Sequence, residues 1–286
     1  MQKIRIGGVP EHFMLPIHLA KENGQFEERG FEIEWTDFGG GTGQMTKALE
    51  NDEVDVCILL TEGIINAIIR GNQSKIISNY VITPLTWGIH TGATNSLSNY
   101  DDIFDKKYAI SRHGSGSHLM AMVDAHAHEK YIEKEQFQVI KNLDGAIKSL
   151  EENESDVFYW EKFTTKPYVD SGQLKRVGEY QTPWPCFVVA ATDKIINEQA
   201  DNITRMLRVI HDSCDKFMHA QNSIKQVSER YKLLEADAQR WFHSTEWAIH
   251  GWVSEKMIEN VIFYLKAADI VDAEAAIPEF IWKRNA

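Results

Sequence analysis

A short apolar strand, a glycine-bearing loop and a helix recur along this chain from Ile4 to Ala191, and this recurrence most limits its possible folds. Ile4–Gly8 alternates as a strand, and Pro16–Asn23 has helical spacing. Gly24 suits the position just past a helix end, where a left-handed backbone costs glycine little. After a turn at Gly30, Phe31, Ile33 and Trp35 alternate as a half-buried strand. Gly39-Gly40-Gly41-Thr42-Gly43 leads into a helix over Gln44–Glu50. Val54–Leu60 reads as a strand, Glu62–Arg70 as a helix stopped by Gly71, and Ile76–Ile82 as another strand. Strands alternating with helices predict parallel β-α-β units around a buried sheet.

The theme then repeats. Trp87–Thr91 and Tyr108–Ser111 read as strands with an acidic helix over Tyr100–Lys106 between them. Gly114-Ser115-Gly116-Ser117 opens a helix running to about Lys130. Gln138–Ile140 and Asp156–Trp160 are strands flanking a helix over Leu143–Glu152, and Phe187–Ala191 is an apolar strand after Thr182-Pro183-Trp184-Pro185. From about Glu198 the pattern is helical only: Ile203, Leu207, Ile210, Cys214 and Phe217 form one apolar stripe. Ile224–Leu234, Asp237–Phe242 and Glu255–Ala268 follow in the same manner. The 286 residues allow one large domain or two moderate ones, and no internal repeat is evident.

Composition excludes several classes. A formal net charge of −12 argues against nucleic acid and against an anionic membrane surface, since both require clustered Lys and Arg. No apolar run approaches a membrane span. The opening Met1–Gly8 alternates like a strand and lacks the apolar stretch of a secretory signal. The expected location is therefore periplasmic or lipid-anchored if a signal was removed, and cytoplasmic otherwise. Cys57, Cys186 and Cys214 have no CxxC spacing; they read as buried thiols.

Four segments resemble the alkanesulfonate/nitrate/thiamine-pyrimidine group of solute-binding proteins, which have the type 2 periplasmic-binding fold. The first, Leu15-Pro16-Ile17-His18-Leu19-Ala20-Lys21-Glu22-Asn23-Gly24-Gln25-Phe26-Glu27-Glu28-Arg29-Gly30, has that group's helix ending in Gly before Phe-x-x-x-Gly. The second is Gly41-Thr42-Gly43-Gln44 with Ala48-Leu49, Val54-Asp55-Val56 and Thr61-Glu62-Gly63. The third is Ile110–His118, and the fourth is Leu150–Glu161. The resemblance implies two α/β lobes joined by crossovers near Thr83-Pro84 and Thr182-Pro183, closing on a ligand by a hinge. Lobe I would comprise residues 1–85 and 189–286, including the C-terminal helices, and lobe II residues 86–188. It also implies a small-molecule ligand and an ABC-transporter permease as partners, and a monomer is expected.

Ligands in open α/β sheets bind beyond the carboxyl ends of the strands, so five loops carry the candidate site. After strand one, His12 and Phe13 are placed to wall the cleft, or else form an ordinary surface turn. Gly41 and Thr42 open the second helix, where glycine lets backbone N–H groups approach a ligand. Thr61 and Glu62 follow the third strand, Thr61 as a hydrogen-bonding wall and Glu62 as a first-turn acid. His113, Gly114, Ser115, Gly116 and Ser117 bring hydroxyls and a helix start together, an arrangement suited to a carboxylate, sulfonate or phosphate. Trp160 is placed to stack on a flat ligand, and Glu161 to accept hydrogen bonds from it.

Neither cofactor, metal nor catalytic residues are expected. The Gly39–Gln44 loop lacks the Lys-Ser/Thr of a Walker loop, and neither GxSxG nor HExxH occurs. His126 and His128 point to different faces of a helix; His243, Glu246 and His250 share a face but have no facing ligands. Fungal-type thiamine-pyrimidine synthases share this scaffold and carry a cysteine-rich iron motif that is missing here. The expected function is thus the binding of a small polar or heterocyclic metabolite, thiamine-pyrimidine-like in the first instance, without catalysis. A cytoplasmic enzyme of cofactor biosynthesis on the same scaffold is the alternative.

Overall fold

In the computed structural model, which describes residues 1–283, the strands separate into two five-stranded sheets. The first half supplies β1 (Gln2–Gly8), α1 (Leu15–Glu22), β2 (Phe31–Asp37), α2 (Thr42–Glu50), β3 (Val56–Leu60), α3 (Thr61–Ile69) and β4 (Ser74–Val81). The second supplies β5 (Thr86–Gly92), β6 (Tyr108–Ile110), α4 (Gly116–Ala127), β7 (Phe137–Val139), α5 (Leu143–Glu151), β8 (Val157–Glu161), α6 (Lys166–Asp170) and β9 (Leu174–Gln181). β10 (Phe187–Thr192) and the helices α7 (Asp193–His219), α8 (Ser223–Tyr231), α9 (Glu235–His243) and α10 (Glu255–Ala267) complete the order.

The sheets are mixed rather than wholly parallel. The first runs β2-β1-β3-β10-β4, with β10 antiparallel to both neighbours. The second runs β7-β6-β8-β5-β9, with β5 antiparallel to β8 and β9. Each sheet thus receives one reversed strand as the chain crosses between lobes, at Ile82–Leu85 and again at Thr182–Cys186. The expected lobe boundary at 188/189 falls inside β10, which begins at Phe187.

Buried strands are apolar on both faces because helices cover both sides: Val56-Cys57-Ile58-Leu59-Leu60 is buried throughout. β9 differs. It is an edge strand whose Lys175, Arg176 and Glu179 leave no apolar alternation, so sequence pattern alone does not reveal it. The helix expected over Tyr100–Lys106 is only a 3₁₀ turn at Tyr100–Asp102, begun by the Asn99 side chain accepting from Asp101 N–H.

The helical tail closes the exposed edge of the first sheet. Ala248 N–H donates to Tyr80 O (2.8 Å), Ile82 N–H to Glu246 O (2.9 Å), and Ile76 N–H to Phe280 O (2.7 Å), so tail segments pair along β4. Trp247 anchors this edge. It is 1% exposed, packs edge-on against Phe217 and Trp241, and donates its indole N–H to Phe13 O at 3.1 Å. Removing such a side chain deletes packing and one of the two hydrogen bonds to Phe13 O, the other coming from the Tyr80 hydroxyl; we expect Trp247→Ala to cost about 3–5 kcal/mol, read by urea denaturation. A change under about 1 kcal/mol, the size of a surface substitution, would show that the tail is a passive cover.

Candidate functional site

The crossovers draw the carboxyl ends of both sheets toward each other, and a small cavity lies where they meet. Its first-lobe wall is Val9 and Glu11 after β1, Gly41 and Thr42 at the start of α2, Leu60 at the end of β3, and Phe187 at the start of β10. The second-lobe wall is Trp87 on β5, Ser111 after β6, Ser115, Gly116 and Ser117 at the start of α4, and Trp160 and Glu161 at the end of β8. The volume is about 40 Å³, room for a few water molecules and far below the several hundred Å³ of an ordinary metabolite pocket. As it stands the cavity is too small for an ordinary metabolite.

Two helix starts face this space without a side-chain cap. The hydroxyls that would ordinarily cap them are engaged elsewhere. Thr42 Oγ1 accepts from Leu60 N–H (3.1 Å), and Ser115 Oγ donates to Arg112 O (2.6 Å). Ser117 Oγ accepts from Ser111 N–H at 3.2 Å. The first N–H groups of α2 and α4, with their partial positive charge, are left for another acceptor. Trp87, 3% exposed, also lacks a partner for its indole N–H.

Glycine is required here by close approach. A Cβ on Gly116 would lie 2.5 Å from Leu60 Cδ1 and 2.8 Å from the Trp87 ring. A Cβ on Gly43 would lie 2.9 Å from Arg112 Cδ, whose side chain lies over the start of α2. Arg112 donates from Nη1 to Gly40 O at 2.6 Å, a hydrogen bond from second lobe to first.

The carboxyl groups are the second element of the site. Glu161 Oε2 accepts from Phe163 N–H (2.9 Å), Thr164 N–H (2.6 Å) and Thr164 Oγ1 (2.9 Å). Burial nevertheless raises its pKa to about 7, against the lowering by those donors. Glu11 is raised to about 8, first by burial and then by the charge of Glu161. The Trp160 N–H faces Glu11 and partly offsets this, without a well-formed hydrogen bond.

Several residues singled out from sequence lie just outside the cavity. His12 and Phe13 are buried behind it: His12 stacks on Phe13 at 4.9 Å and meets Trp241 edge-on at 4.3 Å. His12 Nε2 comes within 3.4 Å of Glu161 Oε2, but burial holds the imidazole down at about 3, so this is no ion pair. Thr61 and Glu62 turn to the second crossover. Thr61 Oγ1 donates to Pro185 O (2.6 Å), and Glu62 Oε2 accepts from Trp184 Nε1 (2.9 Å). His113 is exposed and, with Gly114, lines a separate outer groove of about 910 Å³. Gly41, Thr42, Ser115, Gly116, Ser117, Trp160 and Glu161 do converge on the cavity.

Glu11 is the residue sequence reasoning passed over, whereas Trp87, whose place near the first crossover allows it either to close over the cleft or simply to pack, lines the cavity. Glu11 stood in the loop after the first strand, beside the chosen His12, but nothing in sequence tells which neighbour turns inward. His243, Glu246 and His250 do not share a helix face, because α9 ends at His243. Among the described residues no group of three or more His, Cys, Asp and Glu side chains is arranged to hold a metal.

This architecture, two mixed sheets with flanking helices and a cleft between lobes, is the periplasmic-binding fold. Residues 87–180 match a family described as Ca3427-like PBP. The CA3427 gene product of Candida albicans, described as defining a new family with the generic periplasmic binding protein fold, superposes with a TM-score of 0.91. It shares 25% identity, over 100% of this chain and 99% of that one. The alkanesulfonate-binding protein SsuA of Xanthomonas axonopodis pv. citri, bound to MOPS, matches with a TM-score of 0.79 and 14% identity over 97% and 96% of the two chains. The periplasmic aliphatic sulphonate binding protein SsuA of Escherichia coli gives 0.72 and 16% over 100% and 93%. No curated protein sequence matches the chain.

Glu62 makes a pH prediction. Burial raises it from 4.5 to about 7, and Oε1 has no partner, so folding favours the protonated acid. The folded state therefore holds this proton more tightly than the unfolded chain. Its stabilisation is full below about pH 4.5 and is lost as pH rises through about 7. Glu62→Gln should match wild type at pH 5 and exceed it at pH 8 by up to about 3 kcal/mol in urea denaturation. Parallel pH profiles for the two proteins would contradict this assignment.

Proposed function

We propose that this chain is a solute-binding protein that closes its lobes on a small, flat, polar nitrogen-bearing molecule and delivers it to an ABC-type permease. The reading rests on one observation: each lobe presents an uncapped helix start to the same enclosed cavity between aromatic walls. Such N–H groups suit a hydrogen-bond acceptor or an anionic group, and Trp87 and Trp160 offer rings to a planar one. Solute binding is also what the sulfonate-binding neighbours are named for. A bare oxyanion is a poorer fit than a heterocycle or zwitterion, because Glu11 and Glu161 share the space. A thiamine-pyrimidine-like compound combines ring acceptors with an amino donor and is the first candidate.

The test is a thermal-shift panel of an aminopyrimidine, MOPS, an alkanesulfonate, sulfate and nitrate. A ligand at a hundredfold excess over its Kd stabilises by about 2.7 kcal/mol, a rise in Tm of roughly 4–5 °C for a chain of this size. The aminopyrimidine is expected to give that rise. Stabilisation by sulfate or nitrate with none by the pyrimidine would refute the ligand class, and chemical turnover of a bound compound would support the enzyme alternative.

A further inference from the structure

Glu11 leaves the loop after β1 and Glu161 ends β8, so each lobe brings one carboxyl to the cavity they enclose. Among the described residues no Lys, Arg or His lines that cavity. Of the groups packed around the pair only Arg176 supplies counter-charge, and it acts on Glu161 from outside the cavity without outweighing burial. His12, on the same loop as Glu11, is kept neutral by burial, and Tyr231 on α8 is held in its neutral form for the same reason. Arg176 on β9 faces Glu161, but its guanidinium donates to Lys162 O (2.6 Å) and sits 3.6 Å from Glu179 Oε1. The Cys186 thiol, buried behind the cleft, is also neutral.

Two carboxylates cannot both keep their charge in so small a space with so little water. Burial raises both, Glu161 to about 7 and Glu11 to about 8, the charge of Glu161 adding to the rise of Glu11, so the pair holds a proton more tightly than free carboxyls do. A second, independent observation points to an absent occupant. Trp87, 97% buried by its 3% exposure, lines the same cavity with an indole N–H that no protein atom accepts.

Resting on the reading of this cleft as a solute site, we propose that Glu11 and Glu161 select their ligand by a protonated nitrogen, an ammonium, amidinium or aminopyrimidinium group, that replaces one carboxyl proton of the pair on closure. The cation arrives with its charge and the displaced proton leaves to solvent. Trp87 N–H and the starts of α2 and α4 donate to acceptors elsewhere on the ligand.

The probes are a matched set of one ring with three charges: benzylammonium, benzyl alcohol and benzenesulfonate. At pH 8, benzylammonium should bind at least about tenfold tighter than benzyl alcohol, and Glu11→Gln or Glu161→Gln should each lose about tenfold of that affinity. Calorimetry at pH 7 in two buffers of different ionisation enthalpy should report proton release, lost in the double variant Glu11→Gln/Glu161→Gln. Benzyl alcohol or benzenesulfonate binding as tightly as benzylammonium would overturn the proposal and leave the solute-binding reading standing. Small-angle scattering tests it without any ligand. The empty wild type should expand as pH rises from 6 to 9, while the double variant stays compact at both. A wild-type radius of gyration that does not change with pH would overturn the proposal even if none of the three probes binds. Failure of every compound here and in the preceding panel to bind or close the lobes would count against the solute-binding reading instead.

Discussion

The arrangement depends on the grip of the first lobe on the second crossover. Thr61 N–H donates to Cys186 O and its hydroxyl to Pro185 O, while Glu62 takes the indole N–H of Trp184. These residues open α3 directly after β3, and the crossover they hold leads into β10, the strand that completes the first sheet. The same few atoms therefore hold both the end of the crossover and the entry of β10 into the sheet. Asn260 Nδ2 on α10 reinforces this by donating to Pro183 O at 2.9 Å, and Tyr264 meets the Trp184 ring edge-on. The two crossovers are also tied to each other, Thr182 N–H donating to Leu85 O and Cys186 N–H to Thr83 O.

Holding the crossover this way makes the region behind the cleft dry, and dryness sets the chemistry in front of it. Glu62, Glu161 and Glu11 are all raised chiefly by burial, not by an arranged charge partner. His12 is pushed the other way for the same reason. Burial thus shifts each of these four groups toward its neutral form. Hydrogen-bond donors in the cleft therefore act with little competition from water, which strengthens whatever the helix starts of α2 and α4 can offer an acceptor.

Much of this was legible in the residues. Buried strands announce themselves as apolar runs such as Val54–Leu60, and helices that follow a strand begin at glycine-rich loops such as Gly39–Gly43 and Gly114–Ser117. The periodicity of Ile203, Leu207, Ile210, Cys214 and Phe217 marks one face of α7, and all five are buried. One edge strand, β9, escaped notice because its packing is one-sided: it carries charged residues where a buried strand carries valine. Site residues were legible to the level of the loop and no further. Glu11 and His12 are adjacent, yet one lines the cavity and the other packs against Trp241. That choice depends on how the loop turns against α9, a tertiary contact with no local signature.

The glycines explain why the cleft can close so far. Gly116 lets Leu60 and Trp87 come together across the lobes, and Gly40 and Gly43 give Arg112 a flat bed on the start of α2. Any side chain at Gly116 would hold the lobes apart and leave water between Glu11 and Glu161. The carboxyl pair would then be solvated, and its preference for a proton or a cation would weaken with the rise in local dielectric. Selectivity by charge in this cleft thus follows from closeness of approach: residues without side chains decide how strongly the acidic ones can discriminate.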